Sequence, residues 1–260
     1  MIDLHSHILP GLDDGPTTLE ESLELAREAA AGGITAVAAT PHVRDDYPTT
    51  PEAMELGLAT LQARIDEAGI PLRILPGGEV AFEWLDRLPI AELRRFGLGG
   101  NPSYLLVETP YYGLPLDLDE RLFHLRAAGV TPILAHPERN REVQDDLDPL
   151  ARIVRSGTLV QITAASLDGR AGKRARTTAK TLVTSGLAHV VASDAHTASV
   201  RRGGLAHVAG EVGDTGLAEW LAAAVPAAIV AGAPLPMRPD RRRRGLGRRV
   251  AGVLKAPARV

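Results

Sequence analysis

The chain has 260 residues, 45% of them hydrophobic and 23% charged, enough for one domain with a full core and no need of a second. It contains no cysteine, which excludes disulfides, thiolate metal ligands and cysteine nucleophiles. A formal charge of −3 hides an asymmetry: nine of the 29 Lys and Arg but only one of the 32 Asp and Glu follow Pro236, so the body carries −11 and the remainder +8.

In chain order, short apolar runs bounded by turn residues alternate with helical patterns. Residues 1–5 read as a strand leading into Ser6 and His7. Residues 18–32 have helical apolar spacing, with Thr17, Thr18 or Ser22 as caps and Gly32–Gly33 as the stop. A strand at 34–40 leads into Pro41 and His42, a helix follows over 51–68, and a strand at 72–75 precedes Glu79. Strands at 104–107 and 131–135 end at Glu108 and His136 and are followed by helices over 119–128 and 147–156. The strand at 159–161 is the one member ending in an amide, Gln161; after a helix over 173–185, the strand at 189–193 runs into Asp194 and His196. A last helical stretch, 217–231, is interrupted by Pro226.

Seven β/α units predict an α/β fold, a distorted TIM-like (β/α)7 barrel, in residues 1–236. Residues 237–260 read as a basic, disordered tail, which could bind nucleic acid or the anionic cytoplasmic leaflet; the membrane is the reading carried forward, with no nucleic-acid partner expected. The opening strand carries His5, which argues against a removable leader, and the apolar stretch 221–236 is too short and proline-rich to span a bilayer. A cytoplasmic protein, peripheral at the inner membrane face through its tail, is the expectation.

In a barrel of parallel strands every strand end points to one face, so these His, Asp and Glu residues converge. His5 and His7 are two apart, which places both imidazoles on one side of a strand, and Asp194 and His196 repeat the spacing. Imidazole plus carboxylate without sulfur suits Mn, Fe or Zn better than Mg or Ca.

The segments HSHILPGLDDG, ATPH (39–42), GGE (77–79), VE (107–108), AHPERN (135–140), QITAASLDG (161–169) and SDAH (193–196) resemble the polymerase and histidinol phosphatase (PHP) superfamily. Within it they look closest to the manganese-dependent tyrosine-protein phosphatases of bacterial capsular and exopolysaccharide operons, in order from residue 1 to about 209. The resemblance implies the PHP barrel and three divalent ions, Mn first and Fe or Zn as alternatives. His5, His7, Glu79 and Asp194 would take the first ion, with Glu79 bridging to a second held by Glu108 and His136. The third would take Asp14, His42 and His196, with Asp13 competing with Asp14 for that role. It also implies a phosphotyrosine protein as substrate, a membrane-associated tyrosine autokinase controlling polysaccharide export.

Four carboxylates against three divalent ions leave a net charge of about +2, suited to a phosphate dianion and to a metal-hydroxide attack without a protein nucleophile. Arg139 and Arg201 are placed to hold phosphate oxygens without contacting an ion. Tyr47, Tyr111 and Tyr112, in loops after these strands, could flank an aromatic ring; His124, His189 and His207 fall away from the predicted face. The alternatives are a histidinol-phosphate phosphatase or other PHP phosphoesterase, and a metal-stabilised regulatory binder. An amidohydrolase typically adds a strand-end lysine, and the only lysines are Lys173, Lys180 and Lys255.

Overall fold

The computed structural model describes residues 1–201 and 205–239, the side chains of Val200 and Arg201 excepted. Its strand segments are β1 (Ile2–Ser6), β2 (Ala36–Ala39), β3 (His42–Arg44), β4 (Tyr47–Pro48), β5 (Arg73–Leu75), β6 (Glu79–Ala81), β7 (Tyr104–Glu108), β8 (Thr131–Ala135), β9 (Leu159–Thr163) and β10 (Val190–Ala192). All pairings are parallel except the short hairpin β3–β4. β1, β2 and β5 form one arc, and β10-β9-β8-β7-β6-β3 the other.

The two arcs are one barrel, because β2 continues into β3 across Pro41 and β5 into β6 across Pro76-Gly77-Gly78. Each proline removes a ladder donor, so each stave is broken and re-aimed there. A Cβ at Gly78 would lie 2.6 Å from the ring of fully buried Phe96, so the bend needs glycine. The ring closes between first and last strands: Asp194 N–H donates to His5 O at 2.8 Å and His7 N–H to Ala195 O at 3.0 Å. Seven staves result, as the sequence predicts. The β3–β4 hairpin and the separate segment β6, which places Glu79 inside a strand, were not anticipated.

The staves are buried along nearly their whole length, as parallel strands covered on both faces must be. Helices lie outside. Leu19–Ala31 turns Leu23, Leu25, Ala26 and Ala29 inward and is capped by a Thr18/Glu21 capping box. Pro51–Glu67 starts from Thr50, whose hydroxyl accepts from Ala53 N–H, and buries Met54, Leu61 and Ile65; burying each such side chain contributes roughly 1.5–3 kcal/mol. Leu118–Ala127, Asp148–Arg155 and Lys173–Ser185 fall within two residues of the predicted ranges.

Pro226 does not break the last helical stretch. Thr215–Glu219 runs through a π-turn at Trp220–Ala224 into Val225–Ala231, with Pro226 in the first turn of that final segment. The wider turn accommodates the missing N–H one turn earlier. Beyond it, Arg238 stacks over Trp220 at 5.8 Å and donates to Val183 O at 2.5 Å, so the described chain is anchored past residue 236. Residues 240–260, which hold nearly all of the expected tail, lie outside the described residues. No helix among the described residues is long and apolar enough to cross a membrane.

Candidate metal centre

At the C-terminal mouth of the barrel, β1 delivers His5 and the adjoining His7, β6 delivers Glu79, and the turn after β10 delivers Asp194. His5 Nε2 lies 3.2 Å from His7 Nε2 and 3.3 Å from both Glu79 Oε2 and Asp194 Oδ1. His7 Nε2 lies 3.4 and 3.3 Å from the same two oxygens. Each of these edges is the length expected between two donors bound about 2.0–2.1 Å from one first-row divalent ion, and His5, His7 and Asp194 form one such set. Neither oxygen has a hydrogen bond of its own, though both are buried. Buried carboxylate oxygens left in this state fit a cation.

Three further groups adjoin this one. Glu79 Oε1 lies 2.9 Å from His136 Nε2, and His5, Glu79 and His136 form one set. His42 Nδ1 lies 3.0 Å from Glu79 Oε2 and 3.6 Å from Glu108 Oε2, making a second. The resemblance implied Glu108 and His136 at one ion; in the structure Glu108 groups with His42, and His136 with His5, both through Glu79. The outer set is His7, Asp14, His42 and His196, with Asp14 Oδ1 3.2 Å from His196 Nε2 and 3.6 Å from His42 Nε2.

Between the neighbouring aspartates the geometry is clear. Asp13 faces backwards: its Oδ2 accepts from His7 Nδ1 at 2.6 Å and from the His42 backbone N–H at 3.0 Å, so it orients the His7 imidazole from behind and fixes the chain at His42, while Asp14 is the one of the two that presents an oxygen to the cluster. The loop fits only because residue 15 is glycine; a Cβ there would sit 2.2 Å from His7 O.

Gln161 has a comparable supporting place. Its Oε1 accepts from His5 Nδ1 at 3.1 Å and from His136 N–H at 3.2 Å, which leaves His5 Nε2 free to face the centre. The register pairs Gln161 with Ala135, one residue before His136, so its place among the charged strand ends was the signal for a role the sequence reading left unassigned. His136 (φ 32°) and Asp194 (φ 52°) both adopt left-handed backbone, uncommon for non-glycine residues and concentrated at functional sites.

Burial opposes a proton on His5, yet Glu79 and Asp194 prevail and raise it to about 9; His7 is likewise held well above its ordinary value by Asp13, Asp194 and Glu79. Burial also opposes charge on Glu79 and Asp194, but the surrounding imidazoles, with Arg139 for Asp194, hold both well below the usual carboxylate range. Burial and the neighbouring Glu79 push Glu108 up. This is a pocket that gathers positive charge, as a set of cation ligands must.

Arg139 closes one edge. Its Nη1 bonds Asp194 Oδ2 at 2.7 Å and its Nη2 donates to Thr163 Oγ1, so it is tied to a member of the donor cluster. Behind it, buried Glu138 accepts from Thr163 N–H and Oγ1. Arg201 ends the short helix Ala198–Arg201, and its side chain lies outside the described residues. Tyr47 stacks on His42 and Tyr111 on His136, each at 5.9 Å, so two of the three loop tyrosines wall the mouth; Tyr112 is exposed. His124, His189 and His207 lie away from the cluster, and Lys173 and Lys180 sit on the helix Lys173–Ser185 outside it.

A family model described as capsular polysaccharide synthesis, CpsB/CapC, matches residues 1–215. The chain belongs to the CpsB/CapC family. Relatives include the tyrosine-protein phosphatase YwqE of Bacillus subtilis (strain 168), 37% identical over 202 residues, covering 77% of this chain and 79% of the relative. CpsB of Streptococcus agalactiae serotype III, also a tyrosine-protein phosphatase, is 31% identical over 207 residues, covering 77% and 85%. The fold superposes on a CpsB/CapC structure from work on YwqE and Streptococcus pneumoniae CpsB, described as unique metal-dependent tyrosine phosphatases, with a TM-score of 0.80, 32% identity, and coverage of 93% of this chain and 100% of that one. A lactonase from Listeria monocytogenes shares the barrel at a TM-score of 0.51 and 15% identity, a likeness of fold alone.

Proposed function

We propose that this CpsB/CapC chain is a metal-dependent tyrosine-protein phosphatase, a phosphoric monoester hydrolase. The observation that supports it most is the pair His5 and His7, whose Nε2 atoms lie 3.2 Å apart and each 3.3–3.4 Å from both Glu79 Oε2 and Asp194 Oδ1, with Arg139 bonded to Asp194. His5, His7, Asp14, His42, Glu79, Glu108, His136, Asp194 and His196 would hold three divalent ions, Mn in the first instance. Such ions activate water and neutralise phosphate charge.

The chain's own residues do the rest. Arg139 and Arg201 bind phosphate oxygens; Asp13 and Gln161 fix imidazole tautomers; Tyr47 and Tyr111 border the substrate ring. A phenolate leaves with a pKa near 10 and needs less protonation than an alkoxide, which suits a site with no evident general acid. The proposed substrate is a phosphotyrosine protein, a membrane-associated tyrosine autokinase. Residues 1–236 would form the catalytic unit and the basic residues beyond them a contact with the anionic inner face of the membrane, in the cytoplasm.

The test is hydrolysis of an aryl phosphate by chelated protein with and without added Mn. Turnover restored by Mn, and insensitive to thiol reagents, is expected; full turnover after exhaustive chelation would refute the reading.

A further inference from the structure

Tyr111 divides two grooves at the mouth of the barrel, lining both. The one on the β3 side, of about 360 Å³, contains Arg44, Asp45, Asp46, Glu83 and Trp84, and its charges are largely spent on one another. Arg44 pairs with Asp46 at 2.8 Å, and Asp45 is bonded by Arg87 and by Trp84 Nε1. The other groove, of about 480 Å³, is lined by Tyr111, Tyr112, Arg139, Arg141, Lys173 and Arg174 among others, with no carboxylate in its wall.

That second groove is an unbalanced positive surface. Arg174 is paired with Asp145, but among the described residues Arg141 and Lys173 have no carboxylate in ion-pair range. Arg141 lies with its guanidinium over the exposed ring of Tyr112 at 5.4 Å, and its backbone N–H donates to Tyr111 O at 3.1 Å, which ties this stretch of chain to the groove wall. The helix Lys173–Ser185 starts here without a side-chain cap or an acid in its first turn, which adds its positive end to the same field. Arg139 carries the surface from the donor cluster into the groove.

We propose that this groove binds an acidic peptide segment flanking the phosphotyrosine, so that the enzyme selects phosphotyrosine by the negative charge of the chain on one side of it. The assignment rests on the phosphatase reading and adds to it a specificity surface outside the reacting centre. A basic groove bordered by Tyr112 and continuous with Arg139 fits an acidic chain; the charge complementarity sets partner choice and capture rate more than chemistry at the phosphate.

The experiment uses the full chain loaded with Mn and a set of phosphotyrosine peptides of equal length, flanked by Asp and Glu, by Ser and Gly, or by Lys. The acidic peptide should show the highest kcat/KM, and R141E/K173E should lower it about tenfold, through KM, while turnover of a small aryl phosphate stays at the wild-type level. High salt should erase the preference in the wild type. R141A/K173A is the milder companion, and aryl phosphate turnover reports the folding of both variants. Equal kcat/KM for all three peptides, or an equal loss on aryl phosphate, would overturn the proposal. Inhibition by single-stranded DNA but not by an unphosphorylated acidic peptide would overturn it in favour of a nucleic acid. Absence of aryl phosphate turnover in the wild type would count against the phosphatase reading alone, because anisotropy of the labelled peptides reads the groove's charge preference separately.

Discussion

The inner and outer parts of the candidate centre are built differently. His5, His7, Glu79 and Asp194 come from strands or strand ends, have side chains no more than 3% exposed, and are backed by Asp13, Gln161 and Arg139. The outer set depends on Asp14 and His196, whose side chains are 42% and 28% exposed and which sit on loops. Side chains fixed by strands and supporting hydrogen bonds are preorganised; side chains on loops near water are free to reorganise. The inner set should therefore hold its ion more tightly than the outer.

The largest effect should come from the inner donors. Asp194→Ala or His5→Ala should reduce kcat for an aryl phosphate by about 10³-fold or more, since each would remove a proposed ligand and with it several kcal/mol of charge stabilisation. Near-normal turnover in both would mean the cluster is not the reacting centre. Asp14→Ala tests the contrast itself. Metal analysis after dialysis should show this variant losing the outer ion while keeping the inner; loss of all metal would show that the two parts act as one.

Smaller effects belong to the supports. Gln161→Leu removes the acceptor for His5 Nδ1 and His136 N–H, and Asp13→Asn weakens the hold on His7; each should lower metal affinity about 10–100-fold in a competition titration with a chelator. A value unchanged for Gln161→Leu would show that the barrel backbone alone orients His5.

The smallest effect on activity should come from the opposite end of β10. His189 Nδ1 accepts from Val160 N–H, and burial, with the nearby Arg238 charge, lowers the imidazole to about 4. The unfolded chain takes up that proton near pH 6.5, so the contribution to stability is present above 6.5 and is lost as pH falls through about 4. His189→Asn should flatten the pH dependence of the unfolding free energy between those values by an amount on the order of 1–2 kcal/mol, discounted for partial exposure, with turnover at pH 7.5 unchanged. An equally steep dependence in the variant would assign the acid sensitivity elsewhere.

The same division marks what the sequence made legible. Strand order and the inner residues could be read because apolar runs ending in His, Asp or Glu carry both the fold and the site in one pattern. Asp13 and Asp14 could not be separated by their positions in the sequence, because only the Gly15 turn decides which carboxylate faces in and which faces back. Glu79 was placed after a strand because the proline and two glycines at 76–78 look like a terminus, whereas they bend a stave that resumes. The π-turn before Pro226 has no sequence mark of its own, and Arg139's bond to Asp194 joins segments distant in sequence.

Barrel closure also dates the centre within folding. Ser193 N–H reaches back 190 residues to Asp3 Oδ1, and the same seam joins Asp194 to His5. A chain emerging from the ribosome can form most of its β/α units in order, but the inner donor set stays one carboxylate short until the seventh strand docks on the first. If the inner donors hold an ion as proposed, its capture and the closure of the ring would be one late, long-range event.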